Sequence, residues 1–271
     1  MIRVFPRKTK ASPDDDLAYF GEPPLWHAGS DDVHISCTFT YDKPRAECLA
    51  DQWDKQGYNV QVGGPAYGDY GVDFVSGRYL KPGYVITSRG CNNKCWFCYV
   101  WKREGGIREL PIVDGWNVLD SNLLQCSEGH IHKVFAMLKR QKEKAVFTGG
   151  LEAKVLQDWH IDLLADLKPA QVYFAYDTPD DYDPLVRAAK MVKPAVFSMN
   201  SHMVCCYVLI GHPKDTFDKA EKRLKEVMEL GMMPMAMLYR DDKGDTKQEW
   251  RKFQRLWARP SIIFSRIKEI T

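Results

Sequence analysis

The chain has 271 residues, of which 45% are hydrophobic, 27% charged and 12% aromatic, and its net charge is +2. This composition supports a sizeable core and excludes a wholly disordered or fibrous protein. No apolar run approaches the roughly 20 residues of a membrane-spanning helix. The N-terminal residues contain no apolar segment of a secretory signal, so we expect a cytoplasmic protein without a membrane partner.

The first predicted elements form a β-α-β unit within residues 32–64. The segment DVHISCTFTY predicts a strand, and YNVQVGG predicts a second one. Between them, PRAECLADQWDKQG predicts a helix with Ala46, Leu49 and Trp53 on one side. We therefore expect an N-terminal extension over residues 1–79.

Strands and helices alternate through the rest of the chain. Strands are predicted at 83–90, 115–122, 144–150, 171–177, 203–211 and 233–240. Helical patterns are predicted at 129–142, 152–167, 181–192, 215–231 and 246–258. This alternation is typical of an α/β fold with a parallel sheet and right-handed crossovers. We place this core at residues 80–258 and a basic tail at 259–271.

The cysteines are the most informative feature of the sequence. Eight thiols are many for an intracellular chain, so their spacing is the first question. Cys91, Cys95 and Cys98 fall in the segment SRGCNNKCWFCYVW, directly after the first core strand. A regular helix would splay these positions along its length, so we predict a loop that wraps the three thiolates around one centre. Three thiolates suit an iron–sulfur cluster or zinc, and inert buried thiols are a third interpretation.

The cysteine segment resembles the motif of the radical S-adenosylmethionine (SAM) superfamily, in which an aromatic residue, here Phe97, precedes the last cysteine. The resemblance covers about residues 80–258 and implies a partial (β/α)6 TIM-like barrel. It also implies a [4Fe–4S] cluster on the three cysteines whose open iron binds SAM. An electron from an external flavodoxin- or ferredoxin-like donor would cleave SAM, and the 5′-deoxyadenosyl radical would abstract hydrogen from the substrate.

The carboxyl ends of the core strands are where such a barrel gathers its site residues. The resemblance implies that the glycine-rich element binds the amino group of SAM, that a strand-four carboxylate binds the ribose, and that the strand-five element YVLIGHPKDT runs against the adenine. The implied SAM contacts are Phe97, Tyr99, Asp120, Asn122, Gly149, Gly150, Tyr176, Asp177, Ile210 and Gly211. Candidate substrate contacts are Glu152, His212, Tyr239 and Arg240.

Structural roles without a ligand are the alternative for several of these residues. Gly149 and Gly150 follow the third predicted strand rather than the second, which departs from the common pattern, and they could simply form a tight turn. Asp177 could cap the next helix. Tyr239, Arg240 and His212 could be ordinary rim or turn residues.

The N-terminal extension looks like a shortened form of the Rossmann-like domain found in one radical SAM subgroup. Larger members bind cobalamin there, but about 80 residues are too few for a complete domain, and no motif for a cobalt-ligating histidine is present. We therefore expect a remnant that extends or plugs the barrel, without bound cobalamin. A cobalamin-assisted methyltransferase and a non-catalytic iron–sulfur electron-transfer protein are the alternative functions.

The remaining cysteines and the C-terminal segment favour structural roles. Cys205 and Cys206 are adjacent in a strand and point to opposite faces, which predicts packing. Cys126 is expected to be a loop cysteine, with radical quenching or an additional ligand as alternatives. Residues 246–271 contain seven Lys or Arg and two Glu, for a local charge of +5. A nucleic-acid surface is less favoured than an amphipathic closing helix that buries Trp250, Phe253 and Trp257.

Overall fold

Parallel strands build both halves of the chain. The computed structural model describes residues 1–26, 30–69, 74–196, 203–241, 243–257 and 263. In the core, the six main strands pair in sequence order, and every pair is parallel. These strands are β5 (Tyr84–Val85), β8 (Asn117–Val118), β9 (Val146–Phe147), β10 (Gln171–Ala175), β11 (Val204–Ile210) and β12 (Met233–Leu238).

A helix follows each core strand, and the sequence predicts the five that follow the second to sixth strands. The helices are α2 (Val100–Glu104), α3 (Glu128–Lys139), α4 (Asp158–Leu167), α5 (Tyr182–Val196), α6 (Phe217–Glu229) and α7 (Gln248–Leu256). Ser127 and Thr216 cap α3 and α6 by accepting a backbone N–H three residues further along. These elements confirm an α/β fold with parallel sheets.

Several core strands are shorter than the apolar runs that predict them. The first run divides into β5 and β6 (Ser88–Arg89), and β6 pairs antiparallel with β7 (Arg108–Glu109). This pairing brings the chain back beside the first strand immediately after the cysteine loop and α2. Apolar character extends beyond the ladder hydrogen bonds because the ends of the strands still pack against the core.

The N-terminal region contains more sheet than the sequence predicts. Its four strands are β1 (Ile2–Val4), β2 (Ala18–Tyr19), β3 (Asp32–Ser36) and β4 (Asn59–Gly63), and α1 (Lys43–Asp54) joins the last two. The strand order is β2-β1-β3-β4, and all pairs are parallel. The predicted β-α-β unit is therefore confirmed, and two short strands that lack a periodic pattern extend it.

Two separate hydrophobic clusters stabilise the two sheets. Ile2, Ile35 and Trp53 are among the fully buried members of the N-terminal cluster. The larger cluster joins the core strands to their helices and includes Phe147 and Trp257. The aromatic face of α7 is buried as expected, since Trp250 and Trp257 are 7% and 1% exposed while Lys252 faces solvent. The basic tail lies outside the described residues, apart from Ile263.

Residues of the N-terminal region lie beside the segments that follow both outer strands of the core sheet. Tyr41, after β3, lies 5.0 Å from the Arg240 guanidinium beyond β12, and it packs closely against Gly244. On the other side, Ile86 and Arg89 line a cavity together with the ends of the N-terminal strands. No helix within the described ranges is long and apolar enough to cross a membrane.

Candidate functional site

The three motif cysteines lie on an irregular loop at the carboxyl edge of the core sheet. No helix begins until Val100, and all three thiols are partly exposed. The Trp101 indole N–H donates to the Cys95 carbonyl at 2.9 Å, and the Cys98 amide donates to the same oxygen at 3.1 Å. The predicted loop conformation is confirmed, and these bonds set its curvature.

A buried carboxylate holds the base of this loop. Asp120, at the end of β8, accepts hydrogen bonds from the Thr87 amide at 2.6 Å, the Thr87 hydroxyl at 2.5 Å and the Ser88 hydroxyl at 2.8 Å. Burial raises the pKa of Asp120 even though these donors favour the ionised form. The carboxylate therefore links the ends of the first two core strands. Asp120 is one of the residues that the resemblance implies as a SAM contact.

A second buried carboxylate supports the start of the loop. Glu104, at the end of α2, accepts from the Gly90 amide at 3.1 Å and from the Arg103 guanidinium at 2.6 Å. The Cys91 amide donates to the Gly105 carbonyl at 3.1 Å. The sequence analysis did not select Glu104, since an acidic residue in a short charged helix gives no distinctive pattern.

Glu152 is the centre of a hydrogen-bond network above the loop. Its carboxylate accepts from the side-chain amides of Asn93 at 2.9 Å, Asn122 at 2.7 Å and Gln125 at 2.8 Å. Gln125 also accepts from the Asn92 amide at 2.7 Å. The network links Glu152 to the cysteine loop and to the residues that follow the second core strand. Asn93 and Gln125 were missed because lone amides carry no spacing signal.

Cys91 receives hydrogen bonds from this network. The Asn93 backbone amide lies 3.4 Å from Cys91 Sγ, and the Asn122 side-chain amide lies 3.5 Å from it. Asn122 Oδ1 is buried and accepts no hydrogen bond from a described residue, so it offers one acceptor to a ligand with N–H or O–H groups.

Burial and neighbouring thiols affect the ionisation of Cys95 and Cys98. Burial raises the pKa of Cys95, and the Cys98 and Cys91 thiolates raise it further. Burial also raises the pKa of Cys98, again with a contribution from Cys91. Cations bound at this loop would remove that repulsion. Within the described ranges, no three His, Cys, Asp or Glu side chains are arranged to hold a single metal ion.

Trp96 connects the cysteine loop to the far side of the sheet. Its ring packs edge-on against His212, beyond β11, at 5.3 Å between centroids, and it lies 6.0 Å from Tyr239 beyond β12. Phe97 packs against Trp96, while Tyr99 faces solvent beside Lys102. The loop that follows the first core strand therefore contacts the ends of the fifth and sixth strands.

The chain shows no match to any model of a known protein family, nor to any curated protein with which it was compared.

At the end of β10, Asp177 and Tyr176 point in different directions. Asp177 accepts from the Leu209 amide at 3.0 Å, and burial raises its pKa to about 7. Tyr176 is buried against the helix layer, where its hydroxyl donates to Glu226 at 2.7 Å. A role for Tyr176 at the mouth of the sheet is thus limited to its backbone.

The strand-five segment is supported from beneath by an ion pair. Asp215 accepts from the Gly211 amide at 2.9 Å and from Arg223 at 2.9 Å, and both side chains are almost fully buried. Ile210 is fully buried, and Gly211, with φ of 75°, packs against Trp250. The two residues therefore present mainly backbone, while burial lowers the pKa of His212.

The glycine pair meets a steric requirement. A side chain on Gly149 would overlap the Asp120 carbonyl, and Gly150 has φ of 91°. The tight turn is therefore present, and it also brings the third strand end against the second. Among the other cysteines, Cys205 and Cys206 are buried in β11, and burial raises the pKa of Cys126 to about 11.

Proposed function

We propose that this chain is a radical SAM enzyme that acts on an unidentified substrate. The observation that carries this proposal is the position of the cysteine loop. It lies at the carboxyl edge of six parallel strands in sequence order, and it contacts residues beyond the third, fifth and sixth strands through Asn93 and Trp96. In a parallel α/β sheet, this edge is where cofactors and substrates bind.

The contacts of Trp96 support a sheet that curves into a partial barrel. In a flat sheet of this order, the loop after the first strand would lie far from the fifth and sixth strands. Residues of the N-terminal region lie beside the segments that follow both outer strands of the core sheet, since Tyr41 meets Arg240 on one side and the cavity wall includes Ile86 on the other. These contacts favour an extension that closes the gap between the two edges.

The donor set of the loop fits a [4Fe–4S] cluster bound by Cys91, Cys95 and Cys98. A cubane cluster takes one thiolate at each iron, so its ligands need not converge on a single point as ligands of a zinc ion do. When bound, the cluster and SAM supply a one-electron cleavage that yields methionine and a 5′-deoxyadenosyl radical, with the electron coming from an external donor protein. The amide donors of Asn93 and Asn122 at Cys91 would tune that centre.

The protein's own residues offer suitable groups for the polar parts of SAM. Glu152 is a partly buried carboxylate whose described partners are uncharged amides, so it can accept the ammonium group. Asn122 Oδ1 provides a second acceptor beside it. Asp177 retains one carboxylate oxygen for ribose hydroxyls, because the Leu209 amide bonds only to Oδ1.

Anaerobic reconstitution tests this function directly. We expect the purified chain to bind about four irons and four sulfides and, after reduction with dithionite, to convert SAM to 5′-deoxyadenosine and methionine. Cys95→Ala should abolish both properties, because it removes one of three ligands. Cys48→Ala is the matched control, since Cys48 is exposed and lies outside the motif, and it should retain both.

Three outcomes would contradict the proposal or change its class. A reconstituted chain that binds iron and sulfide but yields no 5′-deoxyadenosine would support the electron-transfer alternative. Cluster formation in Cys95→Ala would overturn the assigned ligands. Tight stoichiometric binding of added cobalamin would favour the cobalamin-assisted methyltransferase.

A further inference from the structure

A cavity of about 490 Å³ lies between the N-terminal sheet and the first strand of the core. Its walls include Phe5, Phe39 and Pro65 from the ends of the N-terminal strands, and Ile86 and Arg89 from the core. None of the three motif cysteines lines it. The volume falls within the range of about 300–1,000 Å³ that is typical of small-molecule sites.

The cavity lies where the topology of the N-terminal sheet favours ligand binding. From β1 the chain passes to β2 on one side, and from β3 it passes to β4 on the other. The loops after β1 and β3 therefore diverge and leave a crevice at the carboxyl ends of these neighbouring strands. Open parallel sheets bind ligands at such switch points. Phe5 and Phe39 follow the two strands between which this crevice opens.

Arg89 is a largely buried polar group of this cavity whose bonding is incomplete. Its side chain is 17% exposed and makes no hydrogen bond to a residue that the structure describes, and its Nε atom is buried without a partner. Its nearest carboxylate is Glu104, at 3.8 Å, and Arg103 binds the same oxygen at 2.6 Å. A largely buried guanidinium with an unpartnered Nε–H and only a long contact to a carboxylate is costly unless an anion pairs with it more closely.

Other charged residues of the cavity wall bind partners of their own and do not bind the Arg89 guanidinium. Arg7 and Asp42 pair with each other through two hydrogen bonds, at 2.9 and 2.7 Å. Asp69 accepts from the Gly64 amide at 3.3 Å, on the side of the cavity formed by β4. Among the lining residues that the structure describes, three are Arg and two are Asp. Most of the remaining wall is apolar or aromatic, including Phe74 and Leu110.

We propose that this cavity binds a small molecule with an apolar or aromatic body and one carboxylate or phosphate group, and that Arg89 binds the anionic group in a bidentate manner. A guanidinium matches the geometry of either anion. The proposal does not rest on the function proposed above, because it concerns residues that hold neither the cluster nor SAM.

Titration calorimetry on the purified full-length chain tests the proposal with four probes. Adenosine 5′-monophosphate and N-benzoylglycine carry the phosphate and the carboxylate, and adenosine and N-benzoylglycinamide are their neutral counterparts. We expect at least one anionic probe to bind about tenfold or more tightly than its neutral counterpart. The anion that binds more tightly identifies the class of the ligand.

Three variants separate recognition from folding. Arg89→Met should reduce the affinity of the anionic probe about tenfold or more, to that of the neutral probe. Arg103→Met is the matched control, since Arg103 shares Glu104 but does not line the cavity, and it should bind within about threefold of the unmodified chain. Val75→Trp, at a half-exposed lining residue, should block the cavity and weaken all probes.

The proposal is overturned if neither anionic probe binds more tightly than its neutral counterpart. It is also overturned if Arg89→Met binds the anionic probe as well as the unmodified chain does. Should Arg89→Met fail to fold, unchanged binding by the folded Val75→Trp variant would have the same meaning. Formation of 5′-deoxyadenosine does not enter this measurement, so the two proposals can fail separately.

Discussion

Asp177 carries a carboxyl group whose ionisation is disfavoured in the folded chain. Burial at the end of β10 raises its pKa from 3.8 to about 7, and the Leu209 amide offsets this only in part. Shifted carboxyl groups in clefts are typical of functional sites. Hydroxyl donors from a ligand would favour the ionised form, so ligand binding and ionisation are coupled here.

This shift predicts how stability depends on pH. The folded pKa lies above the unfolded value, so the contribution of Asp177 is fully present below about pH 4 and is lost as the pH rises through about 7. Asp177→Asn cannot ionise, so its free energy of unfolding should fall by about 1–2 kcal/mol less than that of the unmodified chain between about pH 4 and 7. Urea unfolding at several pH values measures this difference.

The exposed Asp183 provides the control for that experiment. Asp183→Asn removes a carboxylate from a solvent-exposed side chain, so it controls for the change in net charge. Parallel curves for Asp177→Asn and the unmodified chain would contradict the assigned burial. The same variant should bind SAM about tenfold more weakly if Asp177 holds the ribose.

At the scale of elements, the ends of β8 and β9 approach each other more closely than side chains normally permit. Gly149 lies against the Asp120 backbone, and the Asp120 side chain in turn holds Thr87 and Ser88 at the base of the cysteine loop. Three consecutive strand ends are therefore linked through one glycine and one carboxylate. Displacing either strand would move the loop that carries Cys91.

Gly149→Ala tests this packing. The added methyl group would overlap backbone rather than a flexible side chain, so we expect a loss of about 2 kcal/mol or more in the free energy of unfolding. Gly129→Ala is the matched control in α3, where a Cβ atom meets nothing within 4 Å, and it should stabilise the chain by about 0.5–1 kcal/mol. Equal effects in urea unfolding would contradict the close approach.

At the scale of the whole molecule, the N-terminal sheet and the core sheet have separate hydrophobic clusters that meet through a few side chains. Tyr41 is the clearest link, because it stacks on Phe39 and lies within 5.4 Å of Arg7 and 5.0 Å of Arg240. A ring between two guanidinium groups contributes about 0.5–2 kcal/mol for each contact. The segment that follows the edge strand β12 therefore packs against a residue of the N-terminal region.

Tyr41→Ala should loosen this edge without unfolding the chain. We expect faster amide hydrogen exchange in β12, since local opening there becomes less costly. Tyr67→Ala is the control, because Tyr67 contacts Lys43 and Glu47 within the N-terminal region, and it should leave exchange in β12 unchanged. Equal exchange in both variants would show that the two sheets are not coupled through Tyr41.

Local patterns predicted most of the elements of this protein. Periodic apolar positions indicated all six core strands and five of the six helices. The spacing of Cys91, Cys95 and Cys98 indicated a loop. Both signals depend on neighbouring residues alone. The short strands β1 and β2 were missed, since two or three residues carry no period. The predicted core strands are longer than the observed ones, because the apolar runs continue past the residues that pair in the sheet.

Tertiary structure decided which polar residues meet. Glu152 binds Asn93, which is 59 residues away, and Trp96 packs against the ends of the fifth and sixth strands. Nothing in the composition or spacing of those segments specifies these contacts, because they depend on how the sheet curves and how its loops pack. The cysteines and the length of the chain therefore predicted an iron–sulfur enzyme. Only the packing of the folded chain decided which side chains contact the residues of the predicted site.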